Sequence, residues 1–198
     1  MIDDLTIGDV PLARRRILVN LVGKEIRELI RFSWLPGQQA SKDYELRNED
    51  VFSLTAGPCL LKTSGGLEVA FASDPGLASV IVWVERTADG VSTSEPLASD
   101  ADLHAISVTD ATFSSPKWAS LVGKTIASVT ILKRRPENSL LEEKPNEVGV
   151  DIGLDDGQHV IFGHGLHDDS DDFAVIRPEQ IAEQVRGQLD AFPLEPNF

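Results

Sequence analysis

A single cysteine, Cys59, gives this 198-residue chain no intramolecular disulfide. Its neighbours Leu60 and Leu61 mark it as a buried, inert thiol with no base beside it. Positive charge is also scarce: 18 Lys and Arg stand against 32 Asp and Glu, a net charge of −14. That balance argues against nucleic acid or an anionic membrane as a partner, since both are polyanions. No apolar stretch approaches the length of a membrane span. The opening Met1-Ile2-Asp3-Asp4 lacks the basic start and apolar run of a secretory signal, so a cytoplasmic location is expected. Motifs of catalysis are missing too. There is no Gly-x-Ser-x-Gly elbow, and Ser64-Gly65-Gly66 lacks the lysine and helix start of a phosphate cradle. The expectation is a protein that is not an enzyme and carries no cofactor.

What is present is a repetition. Leu21-Val22-Gly23-Lys24-Glu25-Ile26 returns 100 residues later as Leu121-Val122-Gly123-Lys124-Thr125-Ile126. A second match keeps the same order: Gly66-Leu67-Glu68-Val69-Ala70-Phe71 against Gly157-Gln158-His159-Val160-Ile161-Phe162, at an offset of 91. The chain therefore reads as one unit used twice, and its 41% apolar content suffices for a packed core.

Each copy opens with a short helix. Asp9 and Pro11 start the first, Ser115 and Pro116 the second, and Gly23 or Gly123 follows it in a left-handed conformation. Strands follow, carrying Ile26, Leu29 and Phe32 in one copy and Ile126, Val129 and Ile131 in the other. Next come Val51–Leu54 running on through Cys59–Lys62, and then Leu67–Ala72; Val148–Leu154 and Gln158–Phe162 are their counterparts. Asp155-Asp156-Gly157 is a hairpin turn. Val80–Glu85 and Phe173–Ile176 close the two units, and Trp83 lies on a β-rich run suited to a central strand. A helix from Pro178 would place Ile181, Ala182, Val185 and Leu189 on one face, ahead of an irregular tail at Pro193 and Pro196. The fold class is α+β: two tandem repeats, each a short helix plus an antiparallel β-meander, with a C-terminal helix. Residues 1–86 form the first lobe, 87–114 a linker with a short strand at Ala105–Val108, and 115–198 the second lobe. Alternation points Val69, Phe71, Val160 and Phe162 into the cores.

The charge is uneven. From Glu137 onward there are 15 acidic and 3 basic residues, a net −12, which leaves only −2 on the first 136. The acidity concentrates in Asp155 and Asp156 and in Asp168, Asp169, Asp171 and Asp172, at opposite ends of the strand Gln158–Phe162. Such a stripe suits a broad contact with a basic protein better than a compact catalytic pocket. Trp34, beside Leu35-Pro36-Gly37 at a strand end, is a candidate aromatic anchor for that partner. The competing reading is chemical. His159, His164 and His167 with the carboxylates Asp168–Asp172 are the residue types of a metal-binding protein or metal-dependent enzyme. Their spacing matches no known ligand motif, so no metal is assigned.

Leu121-Val122-Gly123-Lys124-x-Ile126, Val148–Leu154, Asp156-Gly157 and His159-Val160-Ile161-Phe162 together resemble small bacterial immunity proteins of polymorphic or contact-dependent toxin systems. The resemblance implies a cytosolic, acidic binder that neutralises a toxin domain. It assigns no contact residue, because such proteins vary at that surface.

Overall fold

The computed structural model describes residues 8–195; the readings made at Met1–Asp4 and Pro196 lie outside them. In chain order the elements are α1 (Arg15–Val19), β1 (Ile26–Ser33), α2 (Gly37–Asp43), α3 (Val51–Leu54), β2 (Cys59–Thr63), β3 (Glu68–Asp74), β4 (Ser79–Arg86) and β5 (His104–Ser107). The second series is α4 (Pro116–Ala119), β6 (Ile126–Arg134), α5 (Ser139–Glu142), β7 (Gly149–Leu154), β8 (His159–His164), β9 (Phe173–Ile176), α6 (Glu183–Arg186) and β10 (Leu189–Pro193). The fold is α+β, with two five-stranded antiparallel sheets ordered β4-β3-β2-β1-β5 and β10-β6-β7-β8-β9. Read from opposite ends, the two orders are the same. Among the described residues no helix is long and apolar enough to cross a membrane.

The registers also agree. Ile106, Arg31, Cys59, Phe71 and Val82 lie in one row across the first sheet. Phe192, Ile131, Val150, Phe162 and Val175 occupy that row in the second. β1 and β6 carry an irregularity at the same place, between Ile26 and Glu28 and between Ile126 and Ser128. The extra residue explains an apolar spacing of three, since a bulge returns Leu29 and Val129 to the face of Ile26 and Ile126. The inner faces pack on each other. Phe71 stacks on Phe162 with ring centroids 4.0 Å apart and planes 5° from parallel, and Val69, Phe71, Val160 and Phe162 are all fully buried.

The repeated Leu-Val-Gly-Lys segments meet at a seam. Gly23 N donates to Ile126 O, Ile26 N to Lys124 O, Gly123 N to Ile26 O and Ile126 N to Lys24 O, each at 2.8 Å. Both glycines have positive φ, +80° and +85°, a conformation natural to glycine. α1 ends at Val19 with Asn20 as its cap, so Gly23 turns the chain into this seam instead of capping the helix.

Each outer face is covered by the chain that follows its meander. Leu97 and Leu103 pack over Phe32, Leu60 and Ala70 of the first sheet. Ile181, Ala182 and Val185 pack over Leu132, Ile161 and Ile176 of the second. The chain then returns to the far side of β1 or β6 as β5 or β10.

Three further expectations are corrected. The C-terminal segment is not one helix: a 3₁₀ turn at Pro178–Gln180 precedes the single turn of α6, and Leu189–Pro193 is strand β10. Pairing with β6 gives that strand's second edge its hydrogen-bond partners, and this outweighs a weak helical period interrupted by Gly187. Val51–Leu54 is helical, not the start of β2; it buries Val51, Phe52 and Ser53, and the Ser53 hydroxyl donates to Val175 O. Trp83 lies on β4, the outermost strand of its sheet, and its Nε1 donates to Glu85 at 2.6 Å.

Candidate functional site

Trp34 follows β1 immediately and is 54% exposed, the most exposed large aromatic side chain among the described residues. It lines a depression of about 210 Å³ with Gly57, Pro58, Ser73, Asp171, Asp172 and Phe173. A second depression of about 280 Å³ is lined by Tyr44, Leu46, Leu54, His167, Asp168 and Ala174. Ala56, Asp172 and Phe173 belong to both, so they form the wall between the two hollows. The face is composite. The first sheet supplies Trp34, the helical connection supplies Tyr44, and the acidic loop between β8 and β9 comes from the second sheet.

The wall is built on a buried charge. Arg31 is fully buried. Its Nη2 donates to the carbonyls of Thr55 and, at 2.8 Å, Phe173, and its guanidinium lies 4.5 Å from the centroid of the Phe173 ring. Burial pulls the Arg31 pKa down to about 10, against the attraction of Cys59 and Asp172, so the group stays charged at neutral pH. Burial likewise pushes the Cys59 thiol up to about 12.

The acidic loop is held at several points. Asp169, with φ of +66°, accepts from Arg134 Nη1 at 2.5 Å. Burial pushes Asp168 up, but hydrogen bonds from Ser170 outweigh it and leave the carboxyl below its usual range. The Asp171 side chain is 84% exposed and lies 3.9 Å from His164 Nε2. His164 is 5% exposed, and its Nδ1 shares a 2.5 Å hydrogen bond with the Ser73 hydroxyl, which joins the second sheet to the first. Burial lowers the His164 pKa, against the pull of Asp171 and Asp74.

Asp155 and Asp156 occupy the β7–β8 turn, at the opposite end of β8. Asp156 pairs with Lys124 at 2.9 Å and accepts from Gln158, which brings its carboxyl down to about 2. The six aspartates thus fall into two groups, and only Asp168, Asp171 and Asp172 share hollows with the exposed aromatics.

The histidines do not converge on a metal. His159 bonds Asp151 at 2.9 Å near the β7–β8 turn, His164 faces Ser73 at the far end of β8, and His167 lines the Tyr44 hollow. Among the described residues no three His, Cys, Asp or Glu side chains are grouped to hold an ion. Sequence reasoning missed Tyr44 and Arg31. Tyr44 carries no pattern beyond being the one tyrosine, and Arg31 is one of six basic residues in the eighteen that end at it. Comparison with known proteins finds no matching family model, no matching curated protein and no matching solved structure.

Proposed function

We propose that the chain is a duplicated α+β unit serving as a non-enzymatic protein-binding module, an immunity or inhibitor protein that neutralises a basic toxin domain. The duplication is supported by the matched strand orders, the matched rows and the self-pairing of the repeated motif. The binding role is carried by one observation: exposed Trp34 and the carboxylates Asp171 and Asp172 line the same hollow. An aromatic anchor beside exposed negative charge suits a lysine- or arginine-rich surface, because the ring offers apolar area and a cation–π face while the carboxylates steer the encounter. Asp155 and Asp156 would extend the field from the far end of β8.

The test is association kinetics with the purified product of the adjacent gene, at low and at physiological salt. The association rate should fall steeply as salt rises. Replacing Asp168, Asp171 and Asp172 with Asn should slow association; Asp169 is left in place because it already pairs with Arg134. Trp34→Ala should raise Kd by about thirtyfold, the loss of about 2 kcal/mol typical of an anchor residue. Wild-type rates in the neutralised variant together with wild-type affinity in Trp34→Ala would refute the reading.

A further inference from the structure

Arg31 and Ile131 hold the same position in the two halves, each beside Cys59 or Val150 in its row. Both are buried, yet one is the bulkiest cation in the code and the other a plain hydrophobe. A buried guanidinium is costly unless its donors are satisfied. Here Nε and Nη1 have no hydrogen-bond partner, and no carboxylate among the described residues lies within ion-pair distance. Stability alone would favour a residue like Ile131 at this place.

The two halves also differ in what Arg31 touches. On the side of Ile131, the stretch leading into β7 joins the opposite sheet through its own backbone: Val80 N donates to Glu147 O at 2.9 Å. Phe173 is the register counterpart of Val80, since each lies two residues before the partner of the stacked phenylalanine, Val175 or Val82. On this side the stretch leading into β2 is tied to Phe173 by the Arg31 guanidinium, which bonds the carbonyls of both Thr55 and Phe173. Thr55 precedes Ala56, and Ala56 and Phe173 are the wall shared by the two hollows.

We infer that Arg31 is a positioning residue: its guanidinium bridges Thr55 and Phe173 and so fixes the wall that shapes the Trp34 and Tyr44 hollows. This rests on reading that face as the binding surface, but it is tested without a partner. Amide hydrogen exchange of the free protein is compared with that of Arg31→Met, Arg31→Ile and Arg31→Lys. Methionine and isoleucine remove both bridging bonds while filling the space. Exchange at Thr55, whose N–H donates to Val51 O, and at Asp172, whose N–H donates to the Ser170 hydroxyl, should quicken by about ten- to a hundredfold, the effect of losing one hydrogen bond to a charged group. Amides of Phe71 in β3 and Phe162 in β8 should keep their wild-type protection. Lysine retains the charge over the Phe173 ring and a donor for the carbonyls, so it should restore part of the protection. Wild-type exchange along the wall in Arg31→Met would overturn the inference. So would a uniform rise across both sheets, or loss of folding in all three variants, because either would make Arg31 a general stability residue. The partner assay then stands apart: a loosened wall with unchanged partner association would count against the binding surface and leave the role of Arg31 intact.

Discussion

Truncating the stacked phenylalanines probes the contact on which the pairing of the sheets depends. Phe71 and Phe162 are both 0% exposed, and their rings lie 4.0 Å apart at the same place in the two matched rows. Removing roughly 150 Å² of buried ring at about 25 cal/mol per Å² costs nearly 4 kcal/mol, within the range of about 3–5 kcal/mol seen for Phe→Ala in cores. Against a total stability of about 5–15 kcal/mol, either single variant should remain folded but be severely weakened. The double variant should cost less than the two singles together, by about 0.5–1.5 kcal/mol, because the second truncation removes a ring that has already lost its partner. Urea unfolding followed by circular dichroism measures this, provided the slope with denaturant is unchanged between variants. Phe162→Leu, which keeps most of the volume, should be clearly milder than Phe162→Ala. A single-variant cost below about 1 kcal/mol, or strict additivity, would show that the sheets do not depend on this contact.

Gly23→Ala should cost about 1–2 kcal/mol from backbone strain alone, because an added Cβ at φ +80° meets nothing within 4 Å; a Tm equal to wild type would contradict the turn. Burial holds His164 below its ordinary value of 6.5, so the unfolded chain takes up the proton first and stability should decline as pH falls from 6.5 downward. Asp171 and Asp74 oppose that shift and Lys144 reinforces it; His164→Gln should flatten this part of the stability profile, and an unchanged slope would count against the buried imidazole. The Asp156 carboxyl should titrate near 2 by NMR and move toward 3.8 in Lys124→Met, since the lysine is the first cause of its shift; no movement would mean that the pair does not form in solution.

The central meanders were legible because alternation reports directly on burial: Val69 and Phe71, like Val160 and Phe162, needed only the period of a strand. The repeated glycines were visible as well, but their task was not. A sequence shows local grammar, in which Gly23 reads as a helix stop, whereas its N–H is bonded to a residue more than a hundred positions away. Short apolar segments were misjudged where tertiary pairing decided the outcome: Leu189–Pro193 became a strand because β6 had an open edge, and Val51–Leu54 a helix packed against β9. At the site, composition pointed to Asp168–Asp172 and to Trp34 separately. That they share a hollow depends on the packing of one sheet on the other, which no local pattern encodes. Arg31 was hidden by the irregularity after Ile26. Simple alternation from Ile26 turns Arg31 outward, and one extra residue turns it in.

The seam between the repeated motifs has a consequence for synthesis. Pairings within each meander join residues close in sequence and can form as soon as the first half has left the ribosome. The seam and the phenylalanine stack require the second half, about ninety residues later, which at about 5–20 residues per second takes several seconds. During that interval Leu29, Leu61, Val69 and Phe71 line a finished sheet face whose cover does not yet exist. The nascent first half is therefore the form of this molecule most exposed to aggregation and most in need of a chaperone, and the same two-sheet architecture that buries the apolar rows in the completed protein sets the length of that vulnerable period.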